Sequence, residues 1–228
     1  AMELVDRHQS SNDKARTLHV YGLFQCHWFQ PLEEGLRCGR EAHERNVRIG
    51  DMELACFAYF TSLAARLDLS RTLGEVEEEV AAAMGFAIKT DNAHASASYI
   101  IFERLVATLR GQASPLGSFN DAQFSEATHE QSIAGNAMAQ CHFLVYRALL
   151  ACIFGDFERA LALCEQAAPL TAGILCFYSF GLHRVLHSLA LCQTLSTCTD
   201  TEVRDARLQQ IDARHIREVK EAMPASTR

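Results

Sequence analysis

Little in this sequence breaks helices. Only 4 Pro and 12 Gly occur in 228 residues, too few for the turns of a β sandwich or barrel. Basic charge is also in deficit: 21 Lys and Arg stand against 28 Asp and Glu, a net charge of −7. A nucleic-acid partner needs clustered Lys and Arg to displace counterions from phosphate, so no such partner is expected. The longest apolar stretch, Ala172 to Leu195, is interrupted by His183, Arg184 and His187. A membrane span needs about 20 nearly charge-free residues, so no membrane insertion is expected. The start, Ala1-Met2-Glu3, lacks the basic and apolar regions of a secretory signal. Catalytic and cofactor signatures are missing too: there is no GxxxxGK[ST] loop, dinucleotide fingerprint, G-x-S-x-G elbow or HExxH pair. No cofactor is expected, and a non-catalytic protein is the reading that follows.

Cysteine, by contrast, is abundant. The 9 Cys lie at positions 26, 38, 56, 141, 152, 164, 176, 192 and 198, with no CxxC pair. An odd number without regular spacing, in a chain long enough to bury a sizeable core, reads as reduced thiols in a cytoplasmic protein. In that setting Cys packs as a small hydrophobe.

Apolar residues recur at steps of three and four along almost the whole chain, the period of amphipathic helices. Stop signals joined to cap residues divide the pattern at Gln30-Pro31, Ile49-Gly50-Asp51, Leu69-Ser70-Arg71, Thr90-Asp91-Asn92, Gly155-Asp156 and Thr199-Asp200. Thr72 with Glu75, and Thr199 with Glu202, fit the capping box. Pairs of small residues seven apart lie on one helix face and permit close crossings. Five such pairs fall near the starts of alternate helices: Gly35/Ala42, Gly74/Ala81, Ala127/Ala134, Ala160/Ala167 and Ala206/Ala213. Hairpins in series are predicted over residues 14–50, 51–90, 91–135, 136–172 and 173–222, with an extra loop from Gln112 to Asn120 in the third.

The fourth hairpin carries a recognisable pattern. Its run GDFERALALCEQA, Gly155 to Ala167, resembles the tetratricopeptide repeat, with Leu144, Ala148 and Ala151 at the medium and small positions of its first helix. Arg147 departs from that pattern, where a Leu-like residue is usual. The resemblance implies an all-α fold, a right-handed superhelix of about five antiparallel hairpins forming one domain over residues 1–228. The stretches HWFQPLEEGLRCGREAHERNVRIGDMELACFAY (His27 to Tyr59) and FGDFERALALCEQAAPLTAGILCFYSFGLHRVLHSLAL (Phe154 to Leu191) also resemble part of large bacterial signalling proteins. In those, a STAND/AAA-type ATPase precedes a helical repeat region, often followed by GAF and histidine-kinase modules. That likeness implies a segment excised from a longer chain.

Such a solenoid presents a concave face lined by the first helix of each hairpin, suited to a peptide or partner helix. By frame, the groove residues are His19, Tyr59, Tyr99, Arg104, His142 and Arg147. The resulting expectation is a protein-interaction and regulatory module whose partner is a peptide, a helix or a flanking domain. The alternative is a small-molecule effector sensor, which requires an enclosed aromatic pocket instead of an open groove.

Other constellations read as structural. His183 and His187 have chelating spacing, but Cys176 is about 10 and 16 Å away from them along the helix axis, too far for one ion. Cys141 and His142 are adjacent and therefore diverge on a helix. The run Glu75 to Glu79 suits a solvated helix start. Tyr21, Phe24, His27, Trp28 and Phe29 mark an aromatic first helix, read as core, or as a face that has lost a neighbour. An imperfect apolar stripe, Val203, Leu208, Ile211, His215, Val219 and Ala222, is expected to close the last hairpin.

Overall fold

The computed structural model describes residues 11–113 and 117–198, and beyond them 201, 202, 204, 205 and 207–209. All regular structure among these residues is helical, and no helix among them is long and apolar enough to cross a membrane. Helices α1 (Ser11–Phe24), α2 (Cys26–Phe29) and α3 (Leu32–Ile49) come first, followed by α4 (Met52–Phe57), α5 (Tyr59–Leu69) and α6 (Leu73–Lys89). Next are α7 (Ala93–Leu109), a short α8 (Glu126–Ser132), α9 (Ala137–Ile153) and α10 (Phe157–Ala167). A 3-10 segment, Ala168–Ile174, leads to α11 (Tyr178–Thr197).

The breaks are set by side chains that replace missing backbone partners. Asp51, Asn92, Asn136 and Asp156 each accept a hydrogen bond from the backbone N–H three residues on, at 3.0–3.1 Å. Thr72 does the same for Glu75 at 3.4 Å, and Ser125 for Thr128. Gly155 ends α9 in the left-handed region, with φ 75°. At the equivalent turn after α6 that conformation falls to Asp91, with φ 52°, a residue whose short polar side chain tolerates it.

Neighbouring helices pack in chain order: α1 on α3, α3 on α5, α6 on α7, α9 on α10 and α10 on α11. The approach of the first three is very close. A Cβ on Gly22 would lie 3.1 Å from Cys38 Cβ, and one on Gly39 would lie 3.2 Å from Thr61 Cβ. Cysteine serves the same end. Cys26, Cys38, Cys56, Cys141 and Cys164 are buried and in no disulfide, while Cys176 and Cys192 are exposed. Burial pushes the Cys38 and Cys141 thiols up to about 12, which keeps them protonated and unreactive.

Two of the small-residue pairs occupy the crossings. Gly35 and Ala42 are buried in α3, and Ala160 and Ala167 in α10. Two others do not. Ala81, Ala127 and Ala134 are exposed; α6 instead buries Val76, Val80, Ala83 and Ala87, and the buried positions near α8 are Glu126, His129 and Ile133. In the second case the reason is the path of the chain after α7. The connection after α7 runs from Arg110 to Ser125, longer than its predicted Gln112–Asn120 span, and only the seven-residue α8 follows it. The pair Ala206/Ala213, the box at Thr199 and most of the stripe from Val203 to Ala222 lie outside the described residues, though Leu208 is described and exposed.

Candidate functional site

The inward faces of α1, α5, α7 and α9 converge with the starts of α3 and α11 on a central cavity of about 40 Å3. Measured by the space open to water centres, that is room for about three waters, or a molecule of a few heavy atoms. Its apolar wall comes from Leu23, Phe60, Ile101, Phe102 and Phe177. Its polar wall comes from His27 of α2, His142 and Tyr146 of α9, and Tyr178 and Ser179 of α11.

The polar wall is short of protein partners. His27 Nε2 and Ser179 Oγ are buried with no hydrogen bond, and neither the His142 imidazole nor the Tyr146 hydroxyl has a bond to the protein. Buried polar groups are normally paired, since each unpaired one costs about 1–3 kcal/mol. Burial drives the His142 imidazole down to about 4, with His94 adding a small push in the same direction. Burial also lowers His27, against a small opposing contribution from the Cys176 carbonyl, and raises Tyr146 far above its ordinary value. At neutral pH the wall of the cavity is therefore uncharged: neutral imidazoles able to donate and accept, and hydroxyls able to do both. Among the described residues, neither Lys nor Arg lines it.

One side of the cavity is bordered by contact between α1–α2 and the turn that opens α11. Trp28 Nε1 donates to the Cys176 carbonyl at 3.3 Å. Phe24 meets Phe177 edge to face at 5.0 Å, and His27 meets Tyr178 at 5.9 Å. The Tyr178 hydroxyl bonds Asp68 of α5, and the Trp28 ring lies over Gly181, whose missing Cβ would sit 3.5 Å from the indole. Cys176, in the turn that makes this contact, has φ 70°, an uncommon conformation for a side-chain-bearing residue. The aromatic first helix thus has its neighbour within the chain, except at Phe29, which is 78% exposed.

Of the six residues assigned by frame to a groove, only His142 lines this cavity. Tyr99 is fully buried and donates to the Cys56 carbonyl at 2.5 Å. His19 is buried in α1, its Nδ1 unpaired and its pKa lowered by burial. Arg104 and Arg147 are engaged with the long connection and α8: Arg104 pairs with Asp121, and Arg147 with Glu126 at 2.7 Å and Glu130 at 2.6 Å. Glu126 also accepts from the Phe119 N–H at 2.6 Å. Arg147 therefore ties the short helix α8 to α9. Tyr59 lies in a second, wider cleft of about 190 Å3, with Arg40, His43 and Glu79. The charged groups there are paired, Glu79 with Arg66 at 3.7 Å and Arg40 at 3.9 Å, and His43 bonds the Ala55 carbonyl at 2.9 Å.

His183 bonds the Cys164 carbonyl at 2.9 Å and stacks edge-on with His187. No group of three or more metal-ligating side chains comes together among the described residues. His27, Tyr146 and Ser179 were not singled out for the site by frame, because each belongs to a different helix and only His27 stood in a visible cluster. The pair Phe177-Tyr178, opening a long helix after a turn, was the one local signal of an aromatic counterpart to Trp28. No protein-family model, curated protein or solved structure matches the chain.

Proposed function

We propose that this chain is a regulatory helical-repeat domain that senses a small molecule in its central cavity. The observation that carries this reading is the aromatic cavity whose polar wall holds two buried atoms with no hydrogen bond, His27 Nε2 and Ser179 Oγ, beside the unbonded His142 imidazole and Tyr146 hydroxyl. An open peptide groove is the weaker reading, because α1–α2 and the turn before α11 meet beside the cavity through Trp28 and Cys176. The packing of helices in chain order and the run Gly155 to Ala167 support a stack of tetratricopeptide-like hairpins as the scaffold. The likeness of His27–Tyr59 and Phe154–Leu191 to bacterial STAND/AAA signalling proteins supports a setting in which the sensed molecule governs a linked ATPase or kinase.

A protein-binding role has one observation in its favour. Trp28 and Phe29 are exposed beside α11, where Val185 and Leu189 continue the face of Gly181 and are exposed as well. A partner would dock on this outer surface and not within the cavity.

Thermal unfolding in the presence of a panel of small metabolites tests the cavity reading. A ligand at about 100 times its Kd stabilises by about 2.7 kcal/mol, a rise in Tm of several degrees for a domain of this size. Ala65→Leu, which adds bulk from α5 at the cavity wall, should abolish that rise. A panel that moves neither protein, or moves both equally, refutes the reading.

A further inference from the structure

We propose that the seam between α1–α2 and α11 is the door of the cavity, and that its occupant is an uncharged molecule of about three to five heavy atoms that bridges His27 and Ser179 and so holds the door shut. This rests on the cavity reading above. His27 belongs to the N-terminal side of the seam and Ser179 to the C-terminal side; both line the cavity, and both carry a buried polar atom with no protein partner. A ligand with one donor and one acceptor satisfies both atoms at once only while the seam is closed. Binding energy is thereby converted into closure between segments that are 148 residues apart at the Trp28–Cys176 hydrogen bond.

The character of the ligand follows from the wall. Among the described residues, no cation lines the cavity to hold an anion and no carboxylate lines it to hold a cation, while burying an unpaired charge there would be costly. The ring faces of Phe60, Phe102 and Phe177 suit a small amide or azole whose polar edge turns toward the imidazole and hydroxyl.

The seam is built as a separable contact. Its outer latch is Trp28, half exposed and resting on Gly181. Its fixed side, α11, is anchored independently through the buried His183, Leu186, Ala190 and Leu191. Trp28 is the sole tryptophan of the chain, so its fluorescence reports on the seam alone.

Two variants open the door. Gly181→Leu places side-chain atoms where the indole rests, and Trp28→Ala removes the latch. In both, His142 should react with diethylpyrocarbonate at least tenfold faster than in the parent, by mass spectrometry. His183 and His187, buried on α11, should keep their slow rates, showing that the rest of the fold is intact. An unchanged His142 rate in both variants overturns the door.

The second arm uses acetamide and pyrazole as uncharged probes, with acetate and ethylammonium as charged counterparts. Acetamide or pyrazole should raise Tm and reduce acrylamide quenching of Trp28 at least twofold; His27→Phe and Ser179→Ala should each weaken both effects at least fivefold. Binding that leaves Trp28 quenching unchanged overturns closure by the occupant while sparing the cavity reading. Binding of acetate or ethylammonium in place of the uncharged probes overturns the ligand class, and binding of none of the four overturns the occupant and counts against the cavity reading itself.

Discussion

Protonation of His142 should be one of the larger acid sensitivities of this fold. The imidazole lies between Phe60 and Phe177, whose ring centroids are 6.2 and 5.3 Å away, and no protein acceptor stabilises its charged form. Burial lowers its pKa from 6.5 to about 4. The unfolded chain therefore holds the proton more tightly, and unfolding takes one up between those two values. The stabilisation is complete above pH 6.5, declines as pH falls, and is gone once pH drops below about 4. At about 1.4 kcal/mol per pH unit, the full effect is about 3 kcal/mol, against a total stability of about 5–15 kcal/mol for a typical domain. The assay is urea denaturation from about pH 7 to pH 4.5, where His142 alone should remove about 2.5 kcal/mol. His142→Leu should flatten the curve by that amount. His19, His27 and His129, also lowered by burial, preserve a residual slope of the same sign in the variant. Parallel curves for parent and variant, or an NMR titration of His142 with a midpoint near the ordinary histidine value, would refute the reasoning.

The remaining predictions concern packing and the long connection. Ala160→Leu should cost about 1–3 kcal/mol, because position 160 is fully buried on α10 and overpacking strains a close crossing; Ala81→Leu, at an exposed position of α6, should stay within about 0.5 kcal/mol, and equal effects in thermal melts would contradict the assigned frame. Glu126→Ala removes the shared partner of Arg147 and the Phe119 N–H, so a loss of about 2–3 kcal/mol is expected, with faster proteolysis between Gly117 and Ser125 as the check. Phe29→Asp should change stability by less than about 0.5 kcal/mol, since the ring is 78% exposed; unfolding or aggregation of that variant would mean that the face is covered.

Local rules were legible in the chain wherever one residue and its near neighbours settle the matter. Asp51, Thr72, Asn92 and Asp156 cap helices at the breaks marked by Gly and polar residues, because a cap bond spans only three residues. That cysteine packs as a small hydrophobe was legible in outline, for Cys26, Cys38, Cys56, Cys141 and Cys164 are buried, but Cys192, also within a helical apolar pattern, is exposed. Frame was less dependable. Gly74/Ala81 and Ala127/Ala134 have the spacing of Ala160/Ala167, yet only the last pair is buried. In an Ala-rich chain small residues fit exposed helix faces as well as crossings, and which face turns inward depends on the neighbouring helix.

The cavity lay beyond such rules. His27, Tyr146 and Ser179 are far apart in the chain and share no spacing; they meet because α2, α9 and α11 converge at one place. Arg147, expected in a groove by its position in the chain, pairs instead with Glu126 and Glu130 of α8, a contact set by how α8 packs against α9. By itself, then, the amino-acid order determined that the chain is helical and where most helices begin and end, consequences of hydrogen bonds and hydrophobic periodicity within a few turns. Only the tertiary structure decided which thiols are buried, and that Trp28 reaches Cys176 beside an uncharged, under-bonded cavity. A contact of that kind depends on the summed angles of every helix crossing between the two segments, a quantity no local stretch of sequence contains.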